Sequence, residues 1–240
     1  MITFEAGKYQ KLIKFFYKSF IALFLGAVLF ITAVNYNFFW LFGGMPSLQE
    51  LENPKSQEAS LIISEDGQEI GKYFRENRNP VEFEELSPAI INTLMATEDA
   101  RFTTHSGIDF RSMLRVVFTL GSSGGGSTIS QQLAKNLFNT RTLEYGEEDP
   151  IYMGLLMKVG GLKTAIAKIK EWILAIKLER RYTKQEIMAM YLNEVSFGNN
   201  AYGIQVACKT YFQKDVKTVS LSEAATLIGL LQNPSLYDPR

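Results

Sequence analysis

Two adjacent acidic residues, Glu98 and Asp99, follow an apolar pattern and are the first candidates for chemistry. Apolar residues recur upstream at helical spacing, and Leu94 and Met95 lie one turn before the pair. The spacing places Glu98 in a core-facing position and Asp99 beside it, at the edge of the stripe. Because a carboxylate on an apolar face is costly unless it is paired or neutral, two interpretations stay open. Glu98 is either a proton-transferring carboxyl in the wall of a cleft or a salt-bridged residue that caps the core.

A glycine-rich turn leads into a helical pattern over 128–138 that carries polar residues on one face. Thr128, Gln132 and Lys135 fall at i, i+4 and i+7, so a hydroxyl, an amide and an ammonium line up. This set suits sugar hydroxyls and phosphate, although a solvated face has the same pattern. Ser127 stands where a nucleotide-binding loop requires its lysine, which excludes a loop of that type.

A third segment, 162–181, brings a lysine and a carboxylate within one helical turn of each other. Lys168 and Glu171 precede Ala175, a small residue that leaves room for a ligand. The alternative is a plain ion pair on the helix surface, which contributes only about 0.2–0.5 kcal/mol. We expect the buried stripe of this helix to consist of Ile166, Ile169, Ile173 and Ile176.

Together, the three segments meet the requirements of glycosyl transfer from a phosphate donor. That reaction needs a base to remove a proton from the attacking hydroxyl. It also needs positive charge, or a metal ion, beside the departing phosphate. Glu98 and Glu171 would supply the carboxylates from separate helices, with Lys135 and Lys168 as the cations.

The elements that must position these residues are mostly helical. Two β-prone runs around Asp66-Gly67, within 60–74, predict a small hairpin first. The capping pairs are Thr128 with Gln131, Thr183 with Glu186, and Ser220 with Glu223. Apolar spacing predicts helices over 87–101, 109–120, 128–138, 162–181, 184–193, 202–212 and 221–231. We therefore expect a mainly α domain with a small N-terminal β-hairpin.

The N-terminal region predicts a membrane anchor. Residues 19–49 contain no charged side chain, and a transmembrane helix needs roughly 20 apolar residues. Lysines precede the run, which places 1–18 in the cytoplasm. We expect a transmembrane helix over 19–42, a linker over 43–59 and an extracytoplasmic domain over 60–240. A cleaved signal peptide is the alternative, but bulky aromatic residues continue the run where a small-residue cleavage site would be needed.

Composition excludes several other classes of protein. The 240 residues carry 25 basic and 25 acidic side chains, and the lack of a basic excess argues against nucleic-acid binding. Cys208 is the single cysteine and His105 the single histidine. This rules out an intramolecular disulfide, a cysteine-based zinc site and a multi-histidine metal site.

The segment 142–163 stands apart, because it combines acidic residues, a proline and the apolar run IYMGLLMKV. A mobile flap or a membrane-surface segment would explain this composition. An ordinary long loop packed on the core would explain it equally well.

Five segments extend these observations along the chain. They are EDARFTTHSGID (98–109), GGSTISQQLAKN (125–136), KIKEWILAIKLE (168–179), YLNEVSFGNNAYGIQVA (191–207) and LSEAATLIGLLQNPSLYDP (221–239). In this order they resemble the peptidoglycan glycosyltransferase module, glycosyltransferase family 51, of class A penicillin-binding proteins and monofunctional transglycosylases. The resemblance covers most of 60–240 and implies a lysozyme-like, mainly helical fold.

The resemblance also implies the chemistry. The substrate would be lipid II, added to a growing glycan strand by β-1,4 linkage with release of undecaprenyl diphosphate. Glu98 would be the general base, and Glu171 would assist the leaving diphosphate. A divalent ion, Mg²⁺ or Mn²⁺, would be held mainly by phosphate oxygens and not by a protein cage. No organic cofactor is implied. The residues implied to bind substrate are Asp99, Phe102, His105, Thr128, Gln132, Lys135 and Lys168.

The same resemblance implies a place in the cell. The chain would be a single-pass protein of the cytoplasmic (inner) membrane, with its catalytic domain on the periplasmic side. Its partners would be lipid II, the glycan strand and cell-wall synthesis proteins, and not nucleic acid.

One position departs from the family pattern. The family usually has Arg-Lys ahead of the second catalytic carboxylate, and here Ala167 precedes Lys168. Either that cation is missing, or Lys163, Arg141 or Lys170 replaces it.

Two rival functions and the extent of the chain stay open. A glycan-cleaving enzyme of lysozyme-like fold would use Glu98 as an acid, and a membrane-anchored scaffold would have lost a catalytic carboxylate. The chain ends soon after the fifth segment and contains no S-x-x-K motif of a transpeptidase. We expect a glycosyltransferase domain that is either a short monofunctional form or truncated at its C-terminal end.

Overall fold

The computed structural model describes a mainly α protein, which confirms the predicted fold class. The described residues are 6–45, 60–64, 66, 69–73, 79–119, 125–138, 154–233 and 236–238. The helices are α1 (Ala6–Asn35), α2 (Pro88–Glu98), α3 (Phe110–Phe118), α4 (Ile129–Leu137), α5 (Gly160–Arg181), α6 (Lys184–Glu194), α7 (Ile204–Phe212) and α8 (Leu221–Leu230).

Two short strands precede the helices that follow residue 80. β1 (Ser60–Ile63) pairs antiparallel with β2 (Glu69–Tyr73), and Ser60 lies opposite Tyr73. The register shifts between Ile62 and Ile63.

Local signals explain where several helices begin. The Ser87 side chain accepts a hydrogen bond from the Ile90 N–H, and Pro88 occupies the first turn of α2. Thr183 and Ser220 form capping boxes at the starts of α6 and α8. In each box the side chain three residues into the helix satisfies the N–H of the capping residue.

The end of α2 differs from the prediction, and this changes which of the two adjacent acidic residues is buried. The helix ends at Glu98 and not at 101, because Asp99 has φ −154° and ψ 78°, outside the helical range. Helical spacing therefore does not extend to Asp99. Asp99 is the buried residue, 7% exposed, and Glu98 is half-buried. The expectation that Glu98 faced the core and Asp99 the edge was wrong.

The buried face of α5 also differs from the prediction. Ile166 is fully buried, but the three isoleucines that follow it at helical spacing are half-buried. The face that packs inward carries Glu171, Leu174, Ala175 and Leu178. On this face the Ala175 backbone lies so close to Gly107 that a Cβ atom added to the glycine would come within 2.9 Å of it.

The chain divides into two compact units. The first comprises Met1–Met45 and Leu143–Lys170, and the second comprises Pro46–Thr142 and Glu171–Arg240. Helix α5 contributes its first half to one unit and its second half to the other.

In the first unit, α1 is long and apolar enough to cross a membrane. The stretch Tyr9–Asn35 spans 27 residues, and its most apolar 18-residue window has mean hydropathy 2.0 and is only 6% buried. It is therefore not the core helix of a soluble domain, although a signal sequence passes the same test. The helix ends at Asn35, short of the predicted limit at 42, because Asn37 adopts a left-handed backbone with φ 48°.

The chain beyond α1 packs closely within the first unit. The Leu156 N–H donates to the Leu41 carbonyl at 2.9 Å. Gly154 lies so close to this turn that a Cβ atom would come within 2.2 Å of the Gly43 nitrogen. Lys170, 3% exposed, donates from Nζ to the Gly44 carbonyl oxygen at 3.0 Å.

The second unit has an apolar core between helices. Helix α2 packs against α8, and α4 packs against α6. The fully buried large side chains of this core include Ile90, Leu94, Phe102, Ile129, Leu133, Leu174, Leu178, Ile187, Tyr191, Leu192, Phe197, Ile204, Leu227, Ile228 and Leu230.

Candidate active site

A cleft in the second unit, the larger cleft, contains the first predicted carboxylate. The end of α2, the beginning of α3 and the turn before α4 form its walls, around a volume of about 720 Å³. Its polar and charged lining residues are Thr97, Glu98, Asp99, Arg101, Asp109, Arg111, Ser112, Arg115, Ser127, Thr128, Gln132 and Gln232.

Glu98 is held by one side chain from α4. Gln132 donates from Nε2 to Glu98 Oε2 at 2.8 Å, and the Tyr191 hydroxyl donates to Gln132 Oε1 at 2.9 Å. Burial, assisted by the negative charge of Glu98, raises the pKa of the Tyr191 hydroxyl above its ordinary value.

Asp99 joins three segments behind Glu98. Its carboxylate accepts from the His105 ring at 3.0 Å and from the Ile129 N–H at 3.1 Å. Phe102 is 1% exposed and meets the His105 ring edge to face. All three side chains predicted to shape the site, Asp99, Phe102 and His105, are thus buried supports of the loop that follows Glu98.

Lys184 holds the same loop from α6. Its ammonium donates to the His105 carbonyl oxygen at 2.7 Å and to Glu179 at 2.7 Å. It also lies 4.2 Å from the centre of the Phe102 ring. These contacts join the loop to the C-terminal part of α5.

Gly107 fixes the loop against two helices. Its φ of +91° lies in the left-handed region, and an added Cβ would come within 2.9 Å of the Ala175 backbone. Its carbonyl accepts from Thr128 Oγ1 at 2.7 Å and from Gln131 Nε2 at 3.1 Å. Thr128 also accepts the Gln131 N–H at 3.2 Å, so both functions of its buried hydroxyl are committed to the fold.

A smaller cleft, of about 200 Å³, contains the second predicted carboxylate. It is lined by Ser127, Gln131, Gln132, Lys135 and Glu171. Glu171 is 1% exposed, whereas Lys135 is exposed. Because Ser127 and Gln132 line both clefts, the structure brings Glu98, Gln132, Lys135 and Glu171 into one continuous region.

The remaining predicted cations are elsewhere. Lys168 belongs to the first unit, one turn before Glu171 on α5, and lines neither cleft. Lys170 cannot replace the missing arginine, because its ammonium is buried against Gly44. Lys163 is half-buried in the first unit, and Arg141 lies outside the described residues.

Sequence reasoning missed a group of arginines in the larger cleft. Arg101 binds Asp109 at 2.6 Å, whereas Arg111 and Arg115 form no ion pair among the described residues. Burial alone would raise the pKa of Asp109, but hydrogen bonds from Ser112 and Arg101 outweigh it and hold the pKa below its ordinary value. The four-residue spacing of Arg111 and Arg115 on an amphipathic helix was the signal that could have found them.

The donor set for a metal ion is sparse. Among the described residues, no group of three or more His, Cys, Asp or Glu side chains could hold a metal. The smaller cleft presents one carboxylate, Glu171. Any ion there would need most of its ligands from a bound diphosphate.

Comparison with known proteins places the chain in a family. The sequence profile of the family described as Transglycosylase matches residues 66–240. The chain is 33% identical to penicillin-binding protein 1A of Pseudomonas aeruginosa over 96% of its own length and 26% of that protein. It is 40% identical to penicillin-binding protein 1F of Bacillus subtilis over 75% of its length and 23% of the relative.

A further relative, penicillin-binding protein 1A of Aquifex aeolicus, is 36% identical over 91% of this chain and 27% of its own length. The chain therefore belongs to the transglycosylase family found in class A penicillin-binding proteins. It spans about a quarter of the length of these curated relatives.

Proposed function

We propose that this chain is a membrane-anchored peptidoglycan glycosyltransferase that polymerises lipid II into β-1,4 glycan strands and releases undecaprenyl diphosphate. Membership of the transglycosylase family supports the reaction class. The observation that carries the proposal is the pair of adjoining clefts, each with one carboxylate, which share Gln132.

Glu98 is the general base in this proposal. It lies in the larger cleft, half-buried, and Gln132 Nε2 donates to its carboxylate at 2.8 Å. An ionised carboxylate can remove the proton from the 4-hydroxyl of an acceptor sugar as that oxygen attacks. The buried network behind it, centred on Asp99, limits how far the end of α2 can move.

The smaller cleft receives the leaving diphosphate. Lys135 supplies positive charge where negative charge develops, and Gln132 is placed to donate to a sugar or phosphate oxygen. Thr128, with its hydroxyl already committed, contributes by shaping the start of α4. Lys168, one turn before Glu171 on α5, is the second cation of this proposal.

We also propose a divalent ion, Mg²⁺ or Mn²⁺, carried by the diphosphate oxygens near Glu171. Its chemistry would be neutralisation of the departing phosphate charge. The single carboxylate of the smaller cleft agrees with an ion that arrives with the substrate.

The apolar helix α1 supports a location at the cytoplasmic membrane, with the N-terminus inside and the catalytic domain outside. A lipid-linked substrate must be met at the bilayer surface, so an anchored enzyme suits it. Glycan strands and cell-wall synthesis proteins would then be its partners.

Incubation of the chain with labelled lipid II and Mg²⁺ tests the proposal. We expect glycan polymer from the parent protein and a loss of at least about 10³-fold in rate for Glu98→Gln, which keeps the shape but cannot accept a proton. Cleavage of preformed glycan in place of polymer would support the lysozyme-like alternative. A Glu98→Gln variant as active as the parent would overturn the assignment of the base.

A further inference from the structure

A short hydrogen-bonded series leads from the core to Glu98. The Tyr191 hydroxyl donates to Gln132 Oε1 at 2.9 Å, and Gln132 Nε2 donates to Glu98 Oε2 at 2.8 Å. The three residues come from α6, α4 and α2. Tyr191 is 1% exposed, lies outside the lining of both clefts and has no part in the mechanism above.

The amide of Gln132 can face Glu98 in two ways. With its NH₂ group toward Glu98 it donates to an ionised carboxylate. With its oxygen toward Glu98 two acceptors face each other, which is tolerable only when Glu98 carries a proton. The orientation of this amide therefore affects the proton affinity of Glu98.

The Tyr191 hydroxyl engages the oxygen end of that amide. Burial and the nearby Glu98 charge raise the pKa of its hydroxyl, so the hydroxyl keeps its proton and remains a donor throughout the working pH range. In the observed arrangement this hydroxyl occupies the Gln132 oxygen, and the NH₂ group faces Glu98.

We propose that Tyr191 is a positioning residue for the base, which acts through Gln132 to keep the Glu98 carboxylate ionised and directed at the acceptor sugar. This inference rests on the proposed function. The other charged or titratable groups that line the cleft around Glu98 are Asp99, Arg101, Asp109, Arg111 and Arg115. Removal of the Tyr191 hydroxyl leaves all of them in place.

The test is the pH dependence of lipid II polymerisation by the full chain and by Tyr191→Phe. Activity falls on the acidic side as the base takes up a proton, so a Glu98 that holds its proton more tightly moves that limb to higher pH. We expect the limb to move by roughly 0.5–1 pH unit, so that kcat at a pH on the limb falls roughly three- to ten-fold, with KM changed less than two-fold. Tyr211→Phe is the matched control, because the Tyr211 hydroxyl donates to the Phe197 carbonyl at 2.7 Å and lies in neither cleft.

A double substitution separates this role from general loosening of the fold. Gln132→Leu removes the donor to Glu98 and should shift the acidic limb in the same direction. In that background Tyr191→Phe should add less than a two-fold effect, whereas two independent roles would multiply. The inference would be overturned if the effects of the two substitutions on activity multiplied. It would also be overturned if Gln132→Leu left the acidic limb of the pH profile unchanged.

The experiments distinguish failure of the proposed function from failure of the role assigned to Tyr191. A parent protein that makes no polymer overturns the proposed function and this inference together. An active parent whose Tyr191→Phe variant keeps the same acidic limb overturns the role of Tyr191 alone.

Discussion

Each compact unit buries charged side chains, and Asp99 in the second unit and Lys170 in the first show two ways of doing so. The Asp99 carboxylate, 7% exposed, accepts from the His105 ring and from the Ile129 N–H. Lys170, 3% exposed, has the Gly44 carbonyl at 3.0 Å and the Met157 sulfur at 3.7 Å. No carboxylate reaches Lys170 from the part of the chain that the structure describes.

The two buried charges differ in how well hydrogen bonds compensate them. The Asp99 carboxylate has several hydrogen-bond partners and ties separate segments together, as a preorganised site requires. A lysine with one carbonyl partner is poorly compensated, and burial lowers its pKa to about 8. The charge buried at Lys170 therefore changes with pH above about 8.

We expect the largest loss of stability when the Asp99 carboxylate is removed. Asp99→Ala leaves the Ile129 N–H and the His105 ring buried without their acceptor, and we expect it to lower the free energy of unfolding by about 3 kcal/mol. In detergent, the melting temperature should fall by roughly 6–12 °C. Asp99→Asn, which retains one acceptor oxygen, is the control and should lose less than half as much. A melting temperature of Asp99→Ala within 2 °C of the parent (about 0.5–1 kcal/mol) would contradict the tying role of the carboxylate.

The packing beside Lys170 can be tested at Gly154. Gly154→Ala would place a Cβ atom 2.2 Å from the Gly43 nitrogen and from the Leu41 carbonyl oxygen, so the backbone must move apart, at a cost of roughly 2–3 kcal/mol. Gly160→Ala is the matched control, since nothing lies within 4 Å of its added Cβ. We expect thermal melting to separate the two variants by several degrees. Equal melting temperatures would show that the first unit tolerates looser packing than its geometry indicates.

The smallest expected effect is the dependence of the free energy of unfolding on pH that arises from Lys170. The pKa of Lys170 is about 8 in the folded chain against an ordinary value of 10.5, so between these limits the unfolded chain binds more protons. The free energy of unfolding should therefore rise as pH increases from 8 to 10, by roughly 2 kcal/mol from this group. Lys170→Met should remove that rise.

Melting curves of parent and variant at pH 7.5, 8.5 and 9.5 isolate the effect, because all other lysines are shared. We expect the difference in melting temperature between the two proteins to change steadily across this series. A difference that stays constant with pH would mean that the ammonium is compensated by a partner.

The sequence predicted those features that depend on near neighbours in the chain. Thr183 and Ser220 begin helices because their capping partners lie three residues away. The carboxylates Glu98 and Glu171 were recognised from spacing and from family segments. Their assembly around Gln132 depended on packing, and so did the contact of Tyr191 with that amide.

The errors have the same physical origin. Periodicity could not locate the end of α2, so it assigned Asp99 to the edge when the backbone turns it inward. It also favoured the isoleucines of α5, whereas the face with Ala175 packs inward, close to Gly107. Burial of Lys170 against Gly44, 126 positions away in sequence, left no local signal.

The contact between Gly107 and Ala175 has a consequence for how such chains can vary. Gly107 has a left-handed φ, and a Cβ atom added there would come within 2.9 Å of the Ala175 backbone. The position therefore accepts neither a different side chain nor a different conformation. If codon 107 is randomised and active variants are selected, we expect only glycine at this position. Many positions in the cleft walls should accept other residues under the same selection. A position that accepts only glycine would then identify where the loop after Glu98 packs against the helix that carries Glu171.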